Sequence, residues 1–175
     1  AILLAGFGGQ GILFAGKQLV LAGMKNDKQV SWLPSYGPEM RGGTCNCSVI
    51  VEDEPIGSPL VTKPDILLAF NTPSFDKFES KVVKGGMLFV DSSLVTKKAE
   101  RDDIQAFYIP ATELANENEL TGMANVIMLG YIIKKTGLFD TEFFKESLTS
   151  GIPASKAHLA EVNSKALAIG FGYEG

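Results

Sequence analysis

Two short segments hold the residues best suited to binding chemistry. Gly6-Phe7-Gly8-Gly9-Gln10-Gly11 follows a short apolar run and precedes a stretch with helical spacing, and Gly6, Gly8 and Gly11 keep the intervals of a dinucleotide fingerprint. Glycines at these intervals let backbone N–H groups approach a phosphate, and the helix that follows adds the partial positive charge of its first turn. The plainer alternative is a tight strand-to-helix turn that holds no ligand. The second segment, Tyr36-Gly37-Pro38-Glu39-Met40-Arg41-Gly42-Gly43, sets a stiffening proline, a carboxylate and a guanidinium beside paired glycines. Arg41 suits a phosphate or carboxylate because its planar fork binds two oxygens at once. Glu39 is placed to recognise a polar ligand, pair with Arg41 or meet another subunit, while a surface turn with a weak ion pair is the plainer reading.

Several other chemistries are excluded or disfavoured. Trp32-Leu33-Pro34-Ser35 stands where an NAD site needs an acidic residue for the ribose hydroxyls. Gly11-Ile12-Leu13-Phe14-Ala15-Gly16-Lys17-Gln18 has P-loop spacing, but Gln18 cannot replace the hydroxyl that holds Mg²⁺. Two cysteines, Cys45 and Cys47, are too few for an iron–sulfur cluster and read as small core residues on one face of a strand. The only histidine, His158, falls in an amphipathic stretch near the end of the chain and reads as a surface or packing residue. Asp91-Ser92-Ser93 ends a predicted strand and suits either a helix cap or a ligand contact. No catalytic acid–base pair and no metal site emerge from these residues.

The elements that must position the two segments follow from apolar periodicity. Residues 1–5 read as a buried strand, Ile12 to Met24 as a helix, and Gln29 to Leu33 and Cys45 to Val51 as strands. The link between these last two strands is too short for a parallel crossover, so Cys45 to Val51 is expected to run antiparallel. Residues 66–70, 87–91 and 106–109 read as further strands. Asn71-Thr72-Pro73 marks a helix start, with Thr72 as the expected cap and Gly85-Gly86 as the expected stop. Helices are expected over roughly 122–136, 141–150 and 153–169. The prediction is one α/β domain over 1–175: a doubly wound, mostly parallel Rossmann-like sheet with one antiparallel insertion and a helical carboxy-terminal third. Loops at 6–11, 35–43, 71–73, 91–93 and 110–112 then converge at the carboxyl edge of the sheet, where such folds bind ligands.

Composition agrees with a folded domain. Of 175 residues 45% are hydrophobic and nineteen are glycine, and the net charge of −4 offers no footprint for nucleic acid. No apolar run approaches the roughly 20 residues of a membrane-crossing helix. A reduced, cytoplasmic protein is the expectation.

Taken together, the two segments resemble the gamma subunit of 2-oxoacid:ferredoxin oxidoreductases, the family of pyruvate and 2-oxoglutarate synthases. The resemblance rests on Gly6–Ile12 and Ser35–Thr44, with support from Glu54-Pro55-Ile56-Gly57-Ser58-Pro59 and from Asn163-Ser164-Lys165-Ala166 leading to Gly170. Met40 with Gly42-Gly43-Thr44 is more similar to the 2-oxoglutarate enzymes. The resemblance implies a subunit of a complex that decarboxylates a 2-oxoacid, passes electrons to ferredoxin and forms an acyl-coenzyme A. Thiamine diphosphate with its Mg²⁺ is then expected on alpha and beta partners, and iron–sulfur clusters on a small ferredoxin-like subunit. For this chain it implies a part in binding coenzyme A through Gly6, Gly8, Gly9, Gln10, Gly11 and Arg41, with Glu39 as an inter-subunit contact. A purely structural partner subunit and a stand-alone nucleotide-dependent oxidoreductase are the alternatives.

Overall fold

The computed structural model describes residues 1–39 and 42–175. The first apolar run forms β1 (Ile2–Phe7), and α1 (Ile12–Lys25) follows the glycine loop directly. β2 (Gln29–Tyr36) and β3 (Thr44–Glu52) form a hairpin, and β3 lies antiparallel to both β2 and β1. β4 (Ile66–Ala69), β5 (Met87–Asp91) and β6 (Gln105–Ile109) extend the sheet in parallel from β1, giving the order β2-β3-β1-β4-β5-β6. The doubly wound sheet with one antiparallel insertion is therefore present as expected. β1 and β4, at the centre of the sheet, are apolar throughout because both faces are covered. Leu4, Cys47, Leu68 and Phe89 point to one layer, and Leu3, Ala5, Leu67 and Val90 point to the other.

α1 and the carboxy-terminal helices fill the first layer. These are α3 (Ala111–Glu117), α4 (Ala124–Thr136), α5 (Thr141–Ser150) and α6 (Ala157–Gly172). α2 (Thr72–Phe78) covers the second layer with Phe75 and Phe78, helped by Val61, Val82 and Val95 from irregular segments. α1 sits close to the sheet because Gly16 faces the Cys47 thiol, with Val49 Cγ2 3.2 Å from where a Cβ would stand.

Four local expectations change. β2 continues through Pro34 to Tyr36, which an edge strand tolerates because its outer N–H groups need no ladder partner. α2 is capped by Asn71, whose Oδ1 accepts from the Ser74 N–H at 2.9 Å, and not by Thr72. It ends at Phe78 and passes into a 3-10 turn over Glu79–Lys81, short of Gly85-Gly86. α3 was not anticipated, because Pro110 and a seven-residue span give too little periodicity to read.

α4 and α6 cross at Gly130 and Gly170. A Cβ on Gly170 would run into the Ile127 carbonyl oxygen and stand 2.7 Å from the Tyr131 nitrogen, whereas one on Gly172 would meet nothing within 4 Å. Gly170→Ala is expected to destabilise the fold by at least about 2 kcal/mol, as overpacking does. Gly172→Ala is expected to be neutral or slightly stabilising. Urea denaturation of the two variants reads both outcomes.

Candidate functional site

The glycine loop leaves β1 at Phe7 and enters α1 through Gly11, which adopts a left-handed φ of 74°. A side chain there would also strike the Asn125 amide, whose Nδ2 donates to the Gly11 carbonyl at 3.2 Å. Gly9 has φ 100° and open space around it. The first helical hydrogen bond runs from the Ala15 N–H to the Gly11 carbonyl, 3.0 Å. The N–H groups of Ile12, Leu13 and Phe14 thus precede the helical ladder, no side chain caps them and no acidic residue occupies the first turn. α2 and α5, by contrast, are capped by Asn71 and Asp140. Uncapped helix starts of this kind leave N–H donors free to meet an acceptor.

The second loop folds directly onto the first. β1 and β3 pair up to Phe7 opposite Thr44, and two backbone bonds carry the contact further. The Gly8 N–H donates to the Gly43 carbonyl at 2.8 Å, and the Gly42 N–H donates to the Gly8 carbonyl at 3.1 Å. Between the loops lies a cleft of about 290 Å³, lined by Gly8, Gly9 and the first turn of α1 on one side and by Tyr36, Glu39 and Thr44 on the other. On the opposite side of the glycine loop is a second space of about 340 Å³, bounded by Gln10, Phe70, Leu94, Thr112, Asn116 and Ala124.

The structure therefore brings Gly8, Gly9, Gly11 and Glu39 to one cleft. Gly6 is buried near the end of β1, opposite Cys45, and Gln10 borders the second space with its amide engaged by the protein. Arg41 and Met40 lie outside the described residues.

Residues 1–173 match the family model described as pyruvate ferredoxin/flavodoxin oxidoreductase. The chain belongs to this family. It is 39% identical over 171 residues to the ketoisovalerate oxidoreductase subunit VorA of Methanothermobacter thermautotrophicus, an alignment covering 97% of this chain and 35% of that protein. It is 38% identical over 155 residues to the 2-oxoglutarate synthase subunit KorC of Methanocaldococcus jannaschii, covering 87% of this chain and 83% of that one. The crystal structure of a keto/oxoacid ferredoxin oxidoreductase gamma subunit from Geobacter sulfurreducens superposes with a TM-score of 0.80 at 32% identity, covering 97% and 95% of the two chains. The resemblance read from the two loops is thus borne out. The chain spans about a third of the length of the VorA relatives and most of the length of KorC.

Around this family member's cleft, other polar groups serve the fold. Asp91 is fully buried; its Oδ2 accepts from the Thr112 hydroxyl at 2.6 Å and its Oδ1 from the Ser93 N–H at 3.1 Å. Ser93 Oγ accepts from the Glu113 N–H at 3.0 Å, so the Asp91–Ser93 segment holds the start of α3. Asn71 and Thr112 fall in loops expected at this edge, whereas Asn125, from α4, was not read from the sequence as part of this region. Among the described residues, no three His, Cys, Asp or Glu side chains gather as a metal site, and no helix is long and apolar enough to cross a membrane.

Cys45 borders the cleft, and Cys47 lies behind it with its thiol 3.7 Å from the Ile12 carbonyl. Burial pushes the Cys47 thiol from its ordinary 9.0 up to about 12; neighbouring Cys45 adds to the rise and a hydrogen bond with Trp32 opposes it. The folded protein holds this proton more tightly than the unfolded chain. The resulting stability is intact below about pH 9 and is lost as pH climbs towards 12. Cys47→Ala should therefore flatten the loss of stability across that range in denaturation measured at stepped pH. At pH 8.5 iodoacetamide should label Cys47 only after unfolding, as peptide mass spectrometry would show.

Proposed function

We propose that the chain is the gamma-type subunit of a 2-oxoacid:ferredoxin oxidoreductase and that its cleft receives the phosphate-bearing part of coenzyme A. The observation that carries this reading is the joining of the two loops at Gly8, Gly42 and Gly43 beside the uncapped start of α1. The α1 N–H groups and the glycine backbone offer donors to phosphate oxygens, and Arg41 adds a charge on the same loop. Gly9 leaves space for close approach of a ligand to the backbone. At about 290 Å³ the cleft is at the small end for a drug-sized ligand, which fits a site completed by another subunit. Thiamine diphosphate with Mg²⁺ belongs, on this reading, to alpha and beta partners and the clusters to a ferredoxin-like subunit, with ferredoxin as electron acceptor. Glu39, at the outer wall of the cleft, is an inter-subunit contact.

For the substrate we propose 2-oxoglutarate, on the form of the second loop and the match to KorC. A branched-chain 2-oxoacid is the second reading, favoured by the 39% identity to VorA over nearly the whole of this chain.

Anaerobic affinity purification from the source organism should recover a thiamine diphosphate-binding subunit and a cluster-bearing subunit. Turnover on 2-oxoglutarate compared with 2-oxoisovalerate would then decide the substrate, and recovery of the chain alone would sink the complex. In the assembled enzyme Gly9→Leu and Arg41→Ala should each raise the apparent KM for coenzyme A by on the order of 10-fold. Unchanged KM values with normal assembly would remove the cleft from coenzyme A binding.

A further inference from the structure

We propose that Gln10 is a positioning residue, a side-chain clip that ties the glycine loop to the end of β4 and so sets the shape in which the loop meets its ligand. Its Oε1 accepts from the Phe7 N–H at 2.6 Å, closing the loop on itself. Its Nε2 donates to the Phe70 carbonyl at 3.1 Å, across the gap between β1 and β4. The same Oε1 accepts at 3.5 Å from Asn71 Nδ2, while Asn71 Oδ1 caps α2. One amide therefore connects the glycine loop, the end of β4 and the start of α2.

The orientation of this amide is fixed by its partners. Turned over, Nε2 would face the Phe7 N–H and Oε1 would face the Phe70 carbonyl, setting donor against donor and acceptor against acceptor. Gly6 makes room for it, because a Cβ there would stand 2.5 Å from Gln10 Oε1 and 3.0 Å from the Phe70 Cβ. Three of the amide's hydrogen-bonding positions are thus filled by the protein, so the side chain braces the loop in place of gripping the ligand. β1 and β4 diverge here: α1 leads from β1 towards β2, and α2 leads from β4 towards β5. Without this tie the loop would be held on its β3 side, at Gly8, Gly42 and Gly43, and at Gly11 by Asn125, with nothing from its own side chains reaching the end of β4.

This role rests on the reading that the glycine loop receives coenzyme A, and the test separates the two. Gln10→Met keeps the length and removes every polar contact; Gln10→Glu keeps the acceptor for Phe7 and loses the donor to Phe70. Amide hydrogen exchange on the full chain should show Phe7 and the loop amides exchanging at least about 5-fold faster in Gln10→Met, with the amides of β4 and β5 unchanged. Phe7 should keep more protection in Gln10→Glu. In the assembled enzyme, calorimetric titration with coenzyme A should show affinity lowered by on the order of 10-fold in Gln10→Met, the cost of ordering the loop at binding. Unchanged exchange at Phe7 in both variants would overturn the clip itself. Faster exchange with coenzyme A affinity intact, while Gly9→Leu still weakens it, would overturn the positioning role. Affinity intact in Gly9→Leu as well would remove coenzyme A from the loop, and the positioning role with it.

Discussion

The site depends on β3 occupying the slot beside β1. The connection from β2 is too short to cross the sheet, so β3 must return antiparallel, and its pairing with β1 reaches Phe7 opposite Thr44. That register brings Gly42 and Gly43, just ahead of β3, against the glycine loop, where their backbone bonds with Gly8 seal the contact. In a fold with β2 beside β1 the glycine loop would face a strand end and solvent. Here it faces a second loop, and the cleft between them is a product of strand order.

The electrostatics are local in character. The chain carries a net charge of −4, so its overall field does not draw an anionic ligand to the cleft. Beside the charge proposed for Arg41, peptide dipoles at the start of α1 offer a positive potential that fades within the first turn. Recognition on these terms works at contact distance, and the arrangement of N–H groups matters more than the sum of surface charge.

Much of this was legible in the chain. Continuous apolar runs at 1–5, 66–70 and 87–91 announced central strands, and the short 36–43 link announced the antiparallel turn. The glycine spacing placed the strand-to-helix loop, and Pro38 with its neighbouring glycines marked the second loop. What stayed hidden depends on partners remote in sequence. Asp91 is spent on Thr112, and Asn125 stands behind Gly11 from a helix in the last third of the chain. Gln10 looked like a ligand contact from its place in the motif, and only the position of Phe70 and Asn71 shows where its amide is committed. α3 escaped because a short helix fixed by side chains from another loop leaves almost no periodic signal of its own.

Pro34 has a consequence for how this unit lives beside other polypeptides. β2 is the outermost strand, and a free edge invites another strand to add to the sheet. The proline interrupts that outer row, so a visiting strand finds no unbroken template for pairing. The exposed Trp32 and Tyr36 on the same strand remain able to make side-chain contacts. An edge of this kind resists indiscriminate fibre-like stacking in a chain made as a separate product, and it is equally serviceable when the same unit is carried as part of a longer one.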